Sequence, residues 1–193
     1  MEQNLEIEFK NLLLKEEFEL LKKFFNINDS DFFTQENHYF DTPVFALKEK
    51  GCALRLREKK SSFELTLKQP HKEGLLETTE LLSVSEKEAI LRSGKINHPA
   101  MIEVINQLGV SAESITYFGS LKTKRAQKAY KDGLIVLDHS LYLNKEDYEL
   151  EYEVSSRETG QKVFTGLLQD LRIPLRETEN KIKRFYRVKK ESY

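Results

Sequence analysis

"LEIEFK", residues Leu5–Lys10, alternates without a miss: Leu5, Ile7 and Phe9 against Glu6, Glu8 and Lys10. Side chains two apart in an extended chain share a face, so this stretch reads as a strand with one apolar and one charged side. For one such strand taken alone, the ordinary interpretation is a solvated outer face over a core. Whether that interpretation stands depends on how charges sort in the other alternating segments.

"CALRLREKK" (Cys52–Lys60) and "SSFELTLKQP" (Ser61–Pro70) read as a hairpin joined through Lys59–Ser62. One arm sets Arg55 and Arg57 opposite Leu54 and Leu56, and the other sets Glu64, Thr66 and Lys68 opposite Phe63, Leu65 and Leu67. "YELEYEV" sets Glu149, Glu151 and Glu153 against Tyr148, Leu150, Tyr152 and Val154. Like charges in line on one face cost roughly a few tenths of a kcal/mol per pair in the open and more when enclosed. That cost calls for a ligand. If the strands close with their charged sides inward, the apolar sides turn outward and need helices over them. A carboxylate wall suits a hard divalent cation such as magnesium or manganese. Arginines and lysines suit phosphate oxygens, so a ligand that wants both walls is a metal-chelated polyphosphate.

The remaining segments supply more strands and the helices. "KEEFELLKKFF" places Phe18, Leu21 and Phe25 at helical spacing, with acids early and lysines late as the helix dipole favours. "NHYFDTP" offers a short strand through Tyr39 and Phe40 that breaks at Pro43, and "VFALKEKGC" a turn of helix ending at a Gly51 bend. "GLLETTELLS" is a less regular strand. "SEKEAILRSG", with Ser85 as cap, Glu88 at the capping-box position and Gly94 at the end, and "HPAMIEVINQLG" are successive helices. The turn signal Asp132-Gly133 joins "TYFGSLKTKRAQKAYKDG" to "LIVLDHSLYL". After "DYELEYEVSS" comes a helix from about Arg157 to Leu171, a break at Pro174, and finally "NKIKRFYRVKK". The pattern is that of a mixed antiparallel α+β fold, and 193 residues make one domain, 1–193.

Composition narrows the chemistry. Acids and bases nearly cancel to a formal charge of −1, so net charge points to no nucleic-acid or membrane partner. A single cysteine, Cys52, and four scattered histidines exclude an internal disulfide and a thiolate zinc site. His38 and Cys52 read as structural. Acids at positions 2, 6 and 8 stand where a signal peptide would be basic, and no run is long enough to span a bilayer, so the expected address is cytoplasmic. No glycine-rich loop ends in Gly-Lys-Ser/Thr and no Gly-x-Ser-x-Gly elbow is present.

"EIEFK", "YFDT", "LRLR", "LTLK", "TKR", "LD", "ELEYE" and "NKIKRF", in that order from residue 5 to about 187, resemble the CYTH family of triphosphate tunnel metalloenzymes, most of all its Bacillus-type members. The resemblance implies a closed eight-stranded antiparallel barrel with helices packed outside, and metal-dependent chemistry on a triphosphate. It implies metal ligands at Glu6, Glu8, Asp138, Glu149, Glu151 and Glu153, with Mg2+ or Mn2+ as cofactor. It implies substrate binding by Lys10, Arg55, Arg57, Lys68, Arg125 and Lys181, and catalytic roles for Glu6, Glu8, Lys10 and Arg125. Lys122 and Lys124 fall on the face opposite Arg125 and read as solvent lysines. Lys183 shares the parity of Lys181, and either Glu77 or Glu80 could supply a further acid. Hydrolysis of a small triphosphate, inorganic tripolyphosphate first, is the expected activity. Thiamine triphosphate hydrolysis, a class IV-type adenylate cyclase and a non-catalytic polyphosphate- or nucleotide-binding module are the alternatives. The expected partner is the small-molecule triphosphate, and oligomeric state is open.

Overall fold

In a computed structural model, which describes residues 1–60 and 62–191, the alternating segments become eight strands. They are β1 (Glu2–Leu13), β2 (Phe33–Asp41), β3 (Ala53–Glu58), β4 (Phe63–Pro70), β5 (Leu75–Leu82), β6 (Thr116–Tyr130), β7 (Gly133–Tyr142) and β8 (Lys145–Val154). They close into an antiparallel barrel in the order β1-β5-β4-β3-β2-β6-β7-β8. Closure leaves no unpaired edge. Among the described residues six α-helices accompany the strands: α1 (Lys15–Phe24), α2 (Ala46–Glu49), α3 (Val84–Ser93), α4 (Pro99–Gln107), α5 (Arg157–Asp170) and α6 (Lys181–Glu191). None of the described helices is long and apolar enough to cross a membrane. Ser61, in the first hairpin's connection, lies outside the described residues, as do Ser192 and Tyr193 of the 1–193 span.

The chain divides into two compact units, Met1–Leu5 with Gln35–Leu121, and Glu6–Thr34 with Lys122 onward. In the first, Leu54 pairs across to Leu67 and Leu56 to Leu65, and these fully buried leucines pack with Ile90 of α3 and Met101 and Ile105 of α4. The apolar sides of β3 and β4 therefore face helices, which leaves Arg55, Arg57, Thr66 and Lys68 on the barrel's inner side. In the second unit Ile135, Leu137, Leu150 and Tyr152 pack with Phe18 and Leu21 of α1 and Phe164, Leu167 and Leu168 of α5. The inner side of β8 carries Glu149, Glu151 and Glu153.

Local chemistry fixes the element ends. Asp41, 2% exposed, accepts from the amides of Thr42, Leu47 and Lys48, which anchors α2 and gives the "YFDT" aspartate a structural task. The helix after β5 starts two residues earlier than expected: Ser83 is the cap and Glu86 its reciprocal partner, not Ser85 and Glu88. "SVSEKE" contains two overlapping capping boxes, and the earlier one adds helical bonds such as Lys87 N–H to Ser83 O (3.1 Å). Gly94 ends this helix in the left-handed region, as expected. The β6–β7 loop is Lys131-Asp132, because Gly133 already pairs with Tyr130. Glycine is needed there since a Cβ would lie 2.6 Å from both Glu153 O and the Tyr152 ring. Ile7 is buried and Phe9 stacks on Phe164 of α5, but Leu5 is 41% exposed and not packed under a helix as its parity suggested.

Candidate active site

The second unit gathers the acids. Antiparallel register sets Glu8 opposite Glu153, Lys10 opposite Glu151 and Leu12 opposite Glu149 between β1 and β8. Asp138 of β7 lies opposite both Glu149 and Arg125 of β6. Arg125 forks onto Asp138 (Nε–Oδ1 2.7 Å, Nη2–Oδ2 2.6 Å) and also donates to Glu151 Oε2 (2.8 Å). Lys122 and Lys124, its neighbours on the other face, are exposed.

Helix α6 brings two further cations. Lys181 Nζ is 2.9 Å from Asp138 and 2.7 Å from Glu149, and pairs with Glu151 as well. Arg184, 3% exposed, donates to Asp147 (2.9 Å) and Glu149. Lys183 points to solvent. Lys10 donates to Glu8 and to Asn180 Oδ1 (2.9 Å). Neither Arg184 nor Asn180 stood among the expected site residues. The signal for Arg184 was its three-residue spacing from Lys181, visible once the segment is read as a helix instead of a strand.

Charge is distributed unevenly over this cluster. Burial opposes ionisation of Asp138 and Glu151, but Arg125 and Lys181 hold Asp138 below the usual carboxylate range. Lys181, Arg125 and Lys10 hold Glu151 well below it. Burial, with Glu151 beside it, raises Glu149 against Lys181 and Arg184. Glu153 is pushed up to about 7, by burial first and then by Glu151, Glu6 and Glu8, which outweigh Arg125. Burial, reinforced by the neighbouring acids, keeps the Glu153 proton to near neutrality, and a bound cation would reverse this by favouring the ionised carboxylate.

The donor chemistry of Glu6, Glu8 and Glu153, all carboxylate oxygen, fits magnesium or manganese. Among the described residues no three acidic, histidine or cysteine side chains are already drawn to one ligand point. Asp138, Glu149 and Glu151, expected as ligands too, are engaged by Arg125, Lys181 and Arg184.

The first unit gathers the bases. Arg55 and Arg57 of β3 and Lys68 of β4 share the inner side with the paired hydroxyls of Thr66 and Thr79 (3.0 Å apart). Arg57 Nε donates to Asn37 Oδ1 (2.9 Å), and Arg55 Nε is buried without a hydrogen-bond partner. The open choice between two acids resolves by face. Glu77 sits opposite Lys68, whereas Glu80 lies on the other face, 3.3 Å from the Met1 amino group.

Comparison with known proteins gives the class. A CYTH domain matches residues 4–186, and the chain belongs to the CYTH family. It is 48% identical over 193 residues, all of both chains, to YjbK of Bacillus subtilis (strain 168), which carries a provisional triphosphatase name. The crystal structure of a provisionally named adenylate cyclase from Bacillus halodurans is 41% identical and superposes with a TM-score of 0.92 over 96% of this chain and 100% of its own. HpAC1 from Hippeastrum, at 24% identity and a TM-score of 0.76 over 94% of this chain and 95% of its own, shares the fold.

Proposed function

We propose that the protein is a metal-dependent triphosphatase that hydrolyses a small triphosphate, with inorganic tripolyphosphate as its preferred substrate. The observation that carries this reading is the sorting of charge on one closed barrel. Carboxylates with too few counter-cations line β1 and β8, and Arg55, Arg57 and Lys68 line β3 and β4. The provisional triphosphatase name of the relative at 48% identity agrees with it.

In this mechanism Arg55, Arg57 and Lys68 bind phosphate oxygens, the arginines two at a time. Glu6, Glu8 and Glu153 would hold the divalent ion, which when bound would offset phosphate charge and make a water more acidic. Arg125 and Lys10 stabilise negative charge that grows on the leaving phosphate as the terminal P–O bond opens. Asp138, Glu149 and Glu151 fix Arg125 and Lys181 in place. Water adds its oxygen to the terminal phosphorus and releases a proton to solvent as the bridging P–O bond breaks, so that tripolyphosphate separates into orthophosphate and pyrophosphate with no side-chain nucleophile.

The test is a phosphate-release screen of tripolyphosphate, ATP, thiamine triphosphate and pyrophosphate with magnesium or manganese, run beside a cyclic AMP assay. Metal-dependent orthophosphate release, fastest from tripolyphosphate, is expected. Cyclic AMP formed from ATP with negligible phosphate release would sink the reading.

A further inference from the structure

On the inner side of the first unit Glu77 lies directly across from Lys68, with the two charged ends 2.5 Å apart, and its Oε1 is 3.7 Å from Arg55 Nη2. All three side chains are largely enclosed, at 20%, 16% and 13% exposure for Glu77, Lys68 and Arg55. Arg55 still has a buried Nε with no acceptor. One carboxylate thus stands between two cations, and the arginine beside it keeps unused donor capacity. Burial works against the ionised form of Glu77, yet Lys68, Arg55 and Arg57 hold its pKa below the usual range, so it is an anion at neutral pH.

We infer that Glu77 is a positioning residue, the internal counter-anion that keeps Arg55 and Lys68 in place and yields them to an incoming phosphate. This rests on the triphosphatase reading. Two enclosed cations with no anion between them would repel each other and swing apart. With Glu77 between them they stay a short distance apart, and a phosphate with more charge and more acceptor oxygens takes over Arg55 first, through the donors Glu77 leaves unused. The carboxylate therefore competes with substrate for the same cations. It weakens ground-state binding and preserves the geometry used in turnover. Glu80, on the opposite face, has no such part.

The measurement is calorimetric titration of tripolyphosphate into protein held in EDTA, so that neither metal nor turnover contributes. Glu77→Gln keeps the shape and removes the charge; it is expected to bind tripolyphosphate about fivefold more tightly than wild type. With magnesium present, its kcat is expected to fall about tenfold as Arg55 and Lys68 lose their register. Glu80→Gln should match wild type in both assays. A merely structural Glu77 would leave anion affinity unchanged or weaken it, and that result, with wild type binding normally, overturns this inference alone. If wild type fails to bind tripolyphosphate at all, the triphosphate reading falls and takes the inference with it. Should Glu77→Gln not fold, Glu77→Asp serves: charge retained on a shorter arm predicts near-wild-type affinity in EDTA with a reduced kcat, and an unchanged kcat overturns the inference.

Discussion

Glu153 shows how much one side chain's meaning depends on its neighbours. On β8 it repeats Glu149 and Glu151 at strand spacing, yet those two share Lys181 and Glu153 has Arg125 only at 4.0 Å. Its pKa of about 7 lies above the ordinary 4.5, so the folded protein binds this proton more tightly than the unfolded chain does. The stabilisation is complete below about pH 4.5 and is lost as pH rises through about 7. Metal-free wild type should therefore lose more stability between pH 5 and pH 7.5, on the order of those two limits, than Glu153→Gln does. Urea midpoints across that range check this, and parallel curves for the two proteins would refute it.

At the scale of elements the C-terminal segment governs the acidic cluster. Residues 174–180 run back along β1. Asn11 Nδ2 donates to Pro174 O (3.0 Å), Leu12 N–H donates to Thr178 Oγ1 (2.9 Å), and Arg176 forks onto Glu17 (2.7 and 2.8 Å). Helix α6 follows and seats Lys181 and Arg184 on the carboxylates one helical turn apart. Removing Arg184 leaves Glu149, 1% exposed, a buried acid short of one partner. Arg184→Ala should cost about 3–5 kcal/mol of unfolding free energy, while Lys183→Ala on the solvent side should cost under about 0.5. Helix α5 is closely fitted as well: a Cβ at Gly160 would lie 2.7 Å from Val154 Cγ2 and 2.9 Å from the Phe9 ring. Gly160→Leu should lower the thermal midpoint sharply, because those neighbours are themselves packed and cannot step aside.

Across the whole molecule, burying so many charges inside a barrel is sustainable because the apolar sides of the same strands are covered by helices in two separate cores. Most inner charges are paired, whereas Glu153 has only a distant cation, and a buried carboxylate without a close counter-charge costs stability. Metal should therefore act as a stabilising ligand of the fold: magnesium or manganese at about 100 times its Kd raises stability by about 2.7 kcal/mol. Glu8→Gln is expected to remain folded in EDTA, to lose that metal-dependent rise in melting temperature, and to lose turnover with it. An equal metal-induced shift in Glu8→Gln would remove this carboxylate from the ion's site.

The strands, the faces of the charges on β1, β3, β4 and β8, and the separation of acidic from basic strands were legible in the sequence, because alternation is a local property and side-chain parity follows from the extended backbone; the choices between Glu77 and Glu80 and between Lys181 and Lys183 were not. Most helix ends were legible too, since caps and terminal glycines act within a few residues. Tertiary structure decided which charges meet. Lys181 joins acids 30 and more residues away and Glu77 joins Lys68 across a register, neither of which parity can specify. It also decided that "NKIKRF" is read with a helical period, so that Arg184 and not Lys183 accompanies Lys181, and that Leu5 stays exposed where no helix covers it. Parity assigns a side chain to a face; only the packing of distant segments assigns it a partner.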